Sequence, residues 1–162
     1  MAAYTLSNAD IIKGGHLMVF VNNSPIAFAT SHSLSKTMNT QEVSTKDHGD
    51  FAAVLPQNIT WEITTENLYS LSGYNELNTI FNTMQPVTVQ FGESSYSQTS
   101  AQASIVATTS GGTGGDNWTL GTKYETGQAY ITSLQVTAGA GDNATFSATF
   151  TGTGDLTPTG WS

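Results

Sequence analysis

The feature that most constrains this chain is a two-residue alternation that recurs along it. Trp61, Ile63 and Thr65 alternate with Glu62, Thr64 and Glu66; Val87, Val89 and Phe91 alternate with Thr88 and Gln90. Ile26, Phe28 and Thr30 alternate with Ala27, Ala29 and Ser31. Successive side chains of a strand point to opposite faces, so each stretch predicts a strand with two unlike faces. Leu17 to Val21 reads as a further strand, and the turn Asn22-Asn23-Ser24-Pro25 joins it to the strand from Ile26 to about Lys36 as a first hairpin. Gln128 to Thr137 and Ala144 to Thr151 flank Ala138-Gly139-Ala140-Gly141-Asp142-Asn143, a second hairpin signal.

Only one segment changes period. Tyr74, Leu77, Ile80, Phe81 and Met84 fall on one stripe at helical spacing, which predicts a helix over Gly73 to Met84. Ser72 is the expected N-cap and Pro86 the stop, so the helical unit occupies 72–85. Twelve residues are too few to hold alone in water, so the stripe must dock on a sheet. Residues 1–15 read as an irregular N-terminal arm and 37–56 as a long polar loop. Residues 94–127 are expected to form a strand pair around a Gly-rich loop at 108–118. Seven or so strands and one helix make a single all-β domain over 1–162, a sandwich or partial barrel with a helical flank.

Composition then narrows function. Ser and Thr number 43 against 16 charged residues, so the polar strand faces are largely neutral hydroxyls. The chain has four Lys, no Arg, twelve acids and a net charge of −8. Displacing counterions from phosphates needs clustered cations, and Lys13, Lys36, Lys46 and Lys123 are scattered; tight binding to nucleic acid or an anionic membrane is disfavoured. Without Cys there is no disulfide, thiolate nucleophile or thiolate metal site. The N-terminus shows no basic region followed by an apolar stretch, so no signal peptide is expected.

No catalytic constellation emerges. His16, His32 and His48 match no ligand spacing, and no metal or cofactor is expected. Glu62 and Glu66 share one strand face at about 13 Å, beyond the ~5–9.5 Å of a glycosidase pair. Gly111 to Gly115 lacks the Lys-Ser/Thr that completes a phosphate loop. Trp118 and Tyr124 beside that stretch are the only hint of a carbohydrate-binding module.

Four segments resemble the major tail tube proteins of long-tailed phages. These are GHLMVFVNNSPIAFATSHSLS at 15–35, QEVSTKDHGDFAAVLPQNITWEITTENLYS at 41–70, the helix before Pro86-Val87-Thr88-Val89, and GQAYITSLQVTAGAGDNATFSATFTGTGDL at 127–156. Together they cover roughly 110 of the 162 residues, and the lack of Arg departs from the family pattern. The resemblance implies two packed antiparallel sheets with one flanking helix. It implies hexameric rings whose inner sheets join into a continuous β-barrel, and rings that stack into a DNA conduit. Tubes of contractile injection and type VI secretion systems share this architecture and are the alternative reading.

On that expectation the candidate lumen face is Ser31, Ser33, Ser35, Glu62, Thr64, Glu66, Ser133, Gln135, Thr145, Ser147 and Thr149. The candidate ring-stacking loop carries Glu42, Lys46, Asp47, Asp50, Phe51, Val54 and Leu55. The implied partners are further copies of the chain, then tape-measure, tail terminator and baseplate or tail-tip proteins, with DNA only in transit and no membrane. The implied location is the virion tail, after assembly in the host cytoplasm.

Overall fold

The structure is a computed structural model that describes residues 12, 14–26, 28–96 and 118–161. A short 3-10 turn, Gly14–His16, leads into β1 (Leu17–Val21), β2 (Ser24–Pro25), β3 (Ala29–Glu42) and β4 (Val54–Leu68). The helix α1 (Leu71–Thr83) follows, then β5 (Val87–Tyr96), β6 (Trp118–Thr137) and β7 (Thr145–Thr159). All seven strands pair antiparallel in one sheet, ordered β2-β1-β5-β6-β7-β4-β3.

The expected two packed sheets are therefore one hydrogen-bonded sheet. Its coiling restores the sandwich-like core: Val19 and Val89, near one end of the order, share a buried cluster with Ile63, Phe146 and Phe150 near the other. Strands of 20 and 15 residues, β6 and β7, are long enough to run through both parts of such a coil. The monomer is not a closed barrel, because β1 and β3 approach without pairing.

The first hairpin is also smaller than expected. Asn22 and Asn23 sit at φ 50° and 67°, the two left-handed residues of a tight hairpin turn, but only Ser24 and Pro25 pair back on β1. Ile26 donates to the Val19 carbonyl, and Phe28 then enters the left-handed region at φ 56°. That break sends β3 to the far end of the sheet, where it pairs with β4. Among the described residues of the 94–127 segment, β5 and β6 stay paired as far as Tyr96 and Trp118. The Gly-rich stretch 111–115, the apolar piece 103–107 and nearly all of the N-terminal arm lie outside the described residues.

The helix begins two residues before the expected start. Ser70 is the N-cap and accepts the Gly73 amide at 3.3 Å; Met84 closes the C-terminus in the left-handed region, and Pro86 follows. Leu77 is buried against the sheet, while Tyr69 and Tyr74 meet the Phe146 ring edge-on. Trp61 centres the other end of the core at 4% exposure. Its indole N–H donates to the Gly154 carbonyl at 3.0 Å, and its ring lies where a Cβ on Gly152 would fall 2.0 Å from Cε2.

Candidate functional site

Strand β4 sets the geometry of the polar face. Trp61, Ile63, Thr65 and Asn67 are buried, so Glu62, Thr64 and Glu66 must point the opposite way. Register carries that face across its neighbours in straight rows. Ser35, Glu62, Thr151 and Tyr130 form one row; Ser33, Thr64, Thr149 and Ser133 the next; Ser31, Glu66, Ser147 and Gln135 the third. Thr145 opens a fourth, between Leu68 and Thr137. All eleven residues singled out from the sequence thus share one face of β3-β4-β7-β6, turned away from the core.

The face is hydroxyl-rich with two carboxylate positions per copy, two rows apart. Ser31 reaches Glu66 at 3.5 Å, and the Thr132 and Thr151 hydroxyls meet at 2.8 Å. None of the rows contains a Lys. Among the described residues the only ion pair joins Lys36 to Glu125, and Lys36 alternates onto the other face, beside Trp61. Tyr130 belongs to the polar face and was missed from the sequence, where Ala129-Tyr130-Ile131 looks uniformly apolar.

The long loop expected over 37–56 is mostly a β-ribbon. Thr37 to Glu42 pair with Thr60 to Val54, with a bulge between Asn39 and Thr40, and only 43–53 connect them. The connection holds a 3-10 turn at Lys46–His48, with Asp50 and Phe51 just beyond it. It is closed by the Val43 amide on the Ala53 carbonyl. Glu42 faces Val54 at the last ribbon pair. Both ribbon faces meet solvent, which explains why no alternation betrayed it. Phe51 is 86% exposed, Val54 and Leu55 56% each, and the cross-strand pair Met38–Ile59 adds apolar surface that sequence reasoning left out.

A third feature sits where the two ends of the sheet approach. A cavity of about 260 Å³ is lined by Gly14, Leu17, Met18, Ile26, Phe28 and His32 among others. Both His32 ring nitrogens are buried and have no hydrogen-bond partner among the described residues, and burial pushes the imidazole down from 6.5 to about 4. Among the described residues no group of three His, Cys, Asp or Glu side chains could hold a metal. No described helix is long and apolar enough to cross a membrane.

The polar face ends at two unpaired strand margins among the described residues. The outer side of β3 pairs with no strand, and β6 loses β5 after the Val87–Ala129 pair, leaving Tyr130 to Thr137 free on that side. No family model and no curated protein matches the chain. Solved structures do. The virion of a native gene transfer agent particle contains a chain with TM-score 0.67 at 16% identity, covering 92% of this chain and 99% of that one. The tail of an empty gene transfer agent particle, refined with C6 symmetry, gives 0.65 at 16% identity over 91% and 98%. The SPP1 tail tube gives 0.61 at 12% identity over 93% and 80%. The chain has the fold of a tail tube subunit.

Proposed function

We propose that the chain is the structural subunit of a phage-type tail tube. Six copies form a ring, rings stack through the β3–β4 ribbon, and the polar rows line the channel. The observation that carries this reading is the bounded face: four strands, eleven aligned polar residues, a free edge on either side. Pairing β3 of one copy with the free half of β6 in the next satisfies both edges, and the two run antiparallel because three antiparallel pairings separate them. Closure leaves no template for indiscriminate strand addition.

The proposed cargo is DNA in transit. A lumen of hydroxyls with Glu62 and Glu66 repeated six times repels phosphate and offers no cationic trap. A ring carries a formal charge of −48 (6 × 8), screened beyond about 8 Å at physiological salt. Tape-measure, terminator and baseplate or tail-tip proteins would set length and ends, and the assembled product belongs in a virion tail.

Negative-stain electron microscopy of the purified chain over a concentration series tests this. Rings or hollow tubes with a central channel are expected. Featureless single copies at every concentration would count against the ring, and ligand screening for a binding module would come next.

A further inference from the structure

A cavity of about 260 Å³ lies beside β3. Its lining comes from β1 and β3, which approach without pairing. Met18 and Ile26 are buried along its wall. Phe28 borders it in the left-handed region, a conformation that costs a non-glycine residue energy and persists only where the surroundings impose it. His32 lines the same cavity from β3.

The opposite edge of the polar block carries the complementary surface. Ser133 and Gln135 belong to the polar rows, so Leu134 and Val136 alternate onto the core side of β6 at its unpaired margin. Leu134 packs partly on the core, and Val136 remains 42% exposed. If polar face is to continue into polar face when two copies join, odd-numbered β3 residues must meet odd-numbered β6 residues. His32 and Leu34 then lie beside Leu134 and Val136 of the next copy, on the core side.

We infer that Leu134 and Val136 of one copy seat in the His32 cavity of its neighbour, so that each subunit's core is completed by the next. This rests on the ring reading of the previous section and adds which side chains cross the junction. The occupant is a second copy because the cavity lies at the open β3 edge and the unpaired margin of β6 presents Leu134 and the exposed Val136 on the matching side.

The chain contains no Cys, so engineered pairs report cleanly. His32→Cys is combined in turn with Leu134→Cys and with Val136→Cys, and assembled material is oxidised and run without reductant. Disulfide-linked ladders ending at the hexamer are expected from at least one pair. A control pair of His32→Cys with Thr137→Cys, on the polar face, is expected to give less than about a tenth of that yield, since a disulfide needs Cβ atoms within about 4.5 Å. Should the variants fail to assemble, Val136→Asp serves instead: it leaves the single copy's thermal midpoint unchanged, because the site is exposed there, and lowers ring yield at least about tenfold. Rings that form without the cross-link, or that tolerate Val136→Asp, overturn the seating and leave the tube reading standing. Wild-type protein that never forms rings overturns both.

Discussion

Gly152→Ala is expected to destabilise the fold by about 3 kcal/mol, against the preference of an extended backbone. A strand glycine replaced by alanine would ordinarily gain stability, because alanine has less unfolded-state freedom to lose. Here the added Cβ would lie 2.0 Å from Trp61 Cε2 and 2.2 Å from Cδ2, so the ring must move. It has nowhere to go. A Cβ on Gly127 would meet the same indole at 2.7 Å, which shows how closely the ring already lies on β6, and its N–H is held by the Gly154 carbonyl. Overpacking costs ~1–3 kcal/mol, and expelling the ring would forfeit up to the ~3–5 kcal/mol of a buried large aromatic. For a domain of this size, about 3 kcal/mol corresponds to a fall in the melting midpoint of roughly 6–12 °C. Urea unfolding followed by circular dichroism measures it, at concentrations that keep the chain monomeric. The control is the same change in a Trp61→Leu background, where the clash is gone and the cost should drop below about 1 kcal/mol, a coupling of roughly 2 kcal/mol. Equal costs in the two backgrounds would refute the steric account, and a neutral Gly152→Ala would refute the packing itself.

His32 makes stability depend on pH. Its folded value of about 4 lies below the unfolded 6.5, so the unfolded chain binds the proton first, and stability falls as pH drops from 6.5 towards 4. The loss is bounded at roughly 3 kcal/mol; His32→Leu should flatten this window in acid titrations of unfolding, and an unchanged slope would acquit the imidazole. Ser70→Ala removes the cap on Gly73 and is expected to cost about 1 kcal/mol with reduced helical signal. The triple change of Phe51, Val54 and Leu55 to Ser touches exposed residues only, so the monomer should melt as before while micrographs show rings or single copies in place of tubes. Long tubes from that variant would remove the ribbon from the stacking contact.

Much of the sheet was legible because burial on one face writes itself as alternation. Trp61-Glu62-Ile63-Thr64 and Val87-Thr88-Val89-Gln90 identified β4 and β5, and the Gly139–Asn143 turn placed β6 against β7. The ribbon was illegible for the same physical reason. From Thr37 to Glu42 neither face is covered, so backbone pairing alone holds the strand and no pattern records it. The first half of β6, with Gly121, Thr122 and Lys123, hid in the same way, and with it the continuity that makes one sheet out of the two expected. Ser70 and Ser72 offer equal capping chemistry two residues apart, and only tertiary placement chose between them. Alternation within each strand also marked the polar residues, but alignment into rows depends on register between strands distant in sequence. The His32 cavity depends on more still, since it exists only where the ends of the coiled sheet meet.

A subunit that keeps two open edges must admit one partner and refuse others. A bulge at Thr30 breaks the regularity of the β3 edge, and Lys36 sits further along it, features that discourage casual strand addition. The alternation that shapes the single copy then selects the register of its neighbour. A slip of one residue at the β3–β6 junction would place His32 and Leu34 beside Ser133 and Gln135, confronting apolar side chains with channel hydroxyls along the whole contact. A slip of two keeps the faces matched but shifts each row by about 7 Å along the strand, which changes the stagger and hence the tilt of a closed ring. In the proposed ring, geometry would then be set by where the apolar side chains of one edge find their cavity on the other. A neutral hydroxyl surface alone would let the strands slide; seating of Leu134 and Val136 at the His32 hollow would give the junction a fixed stop.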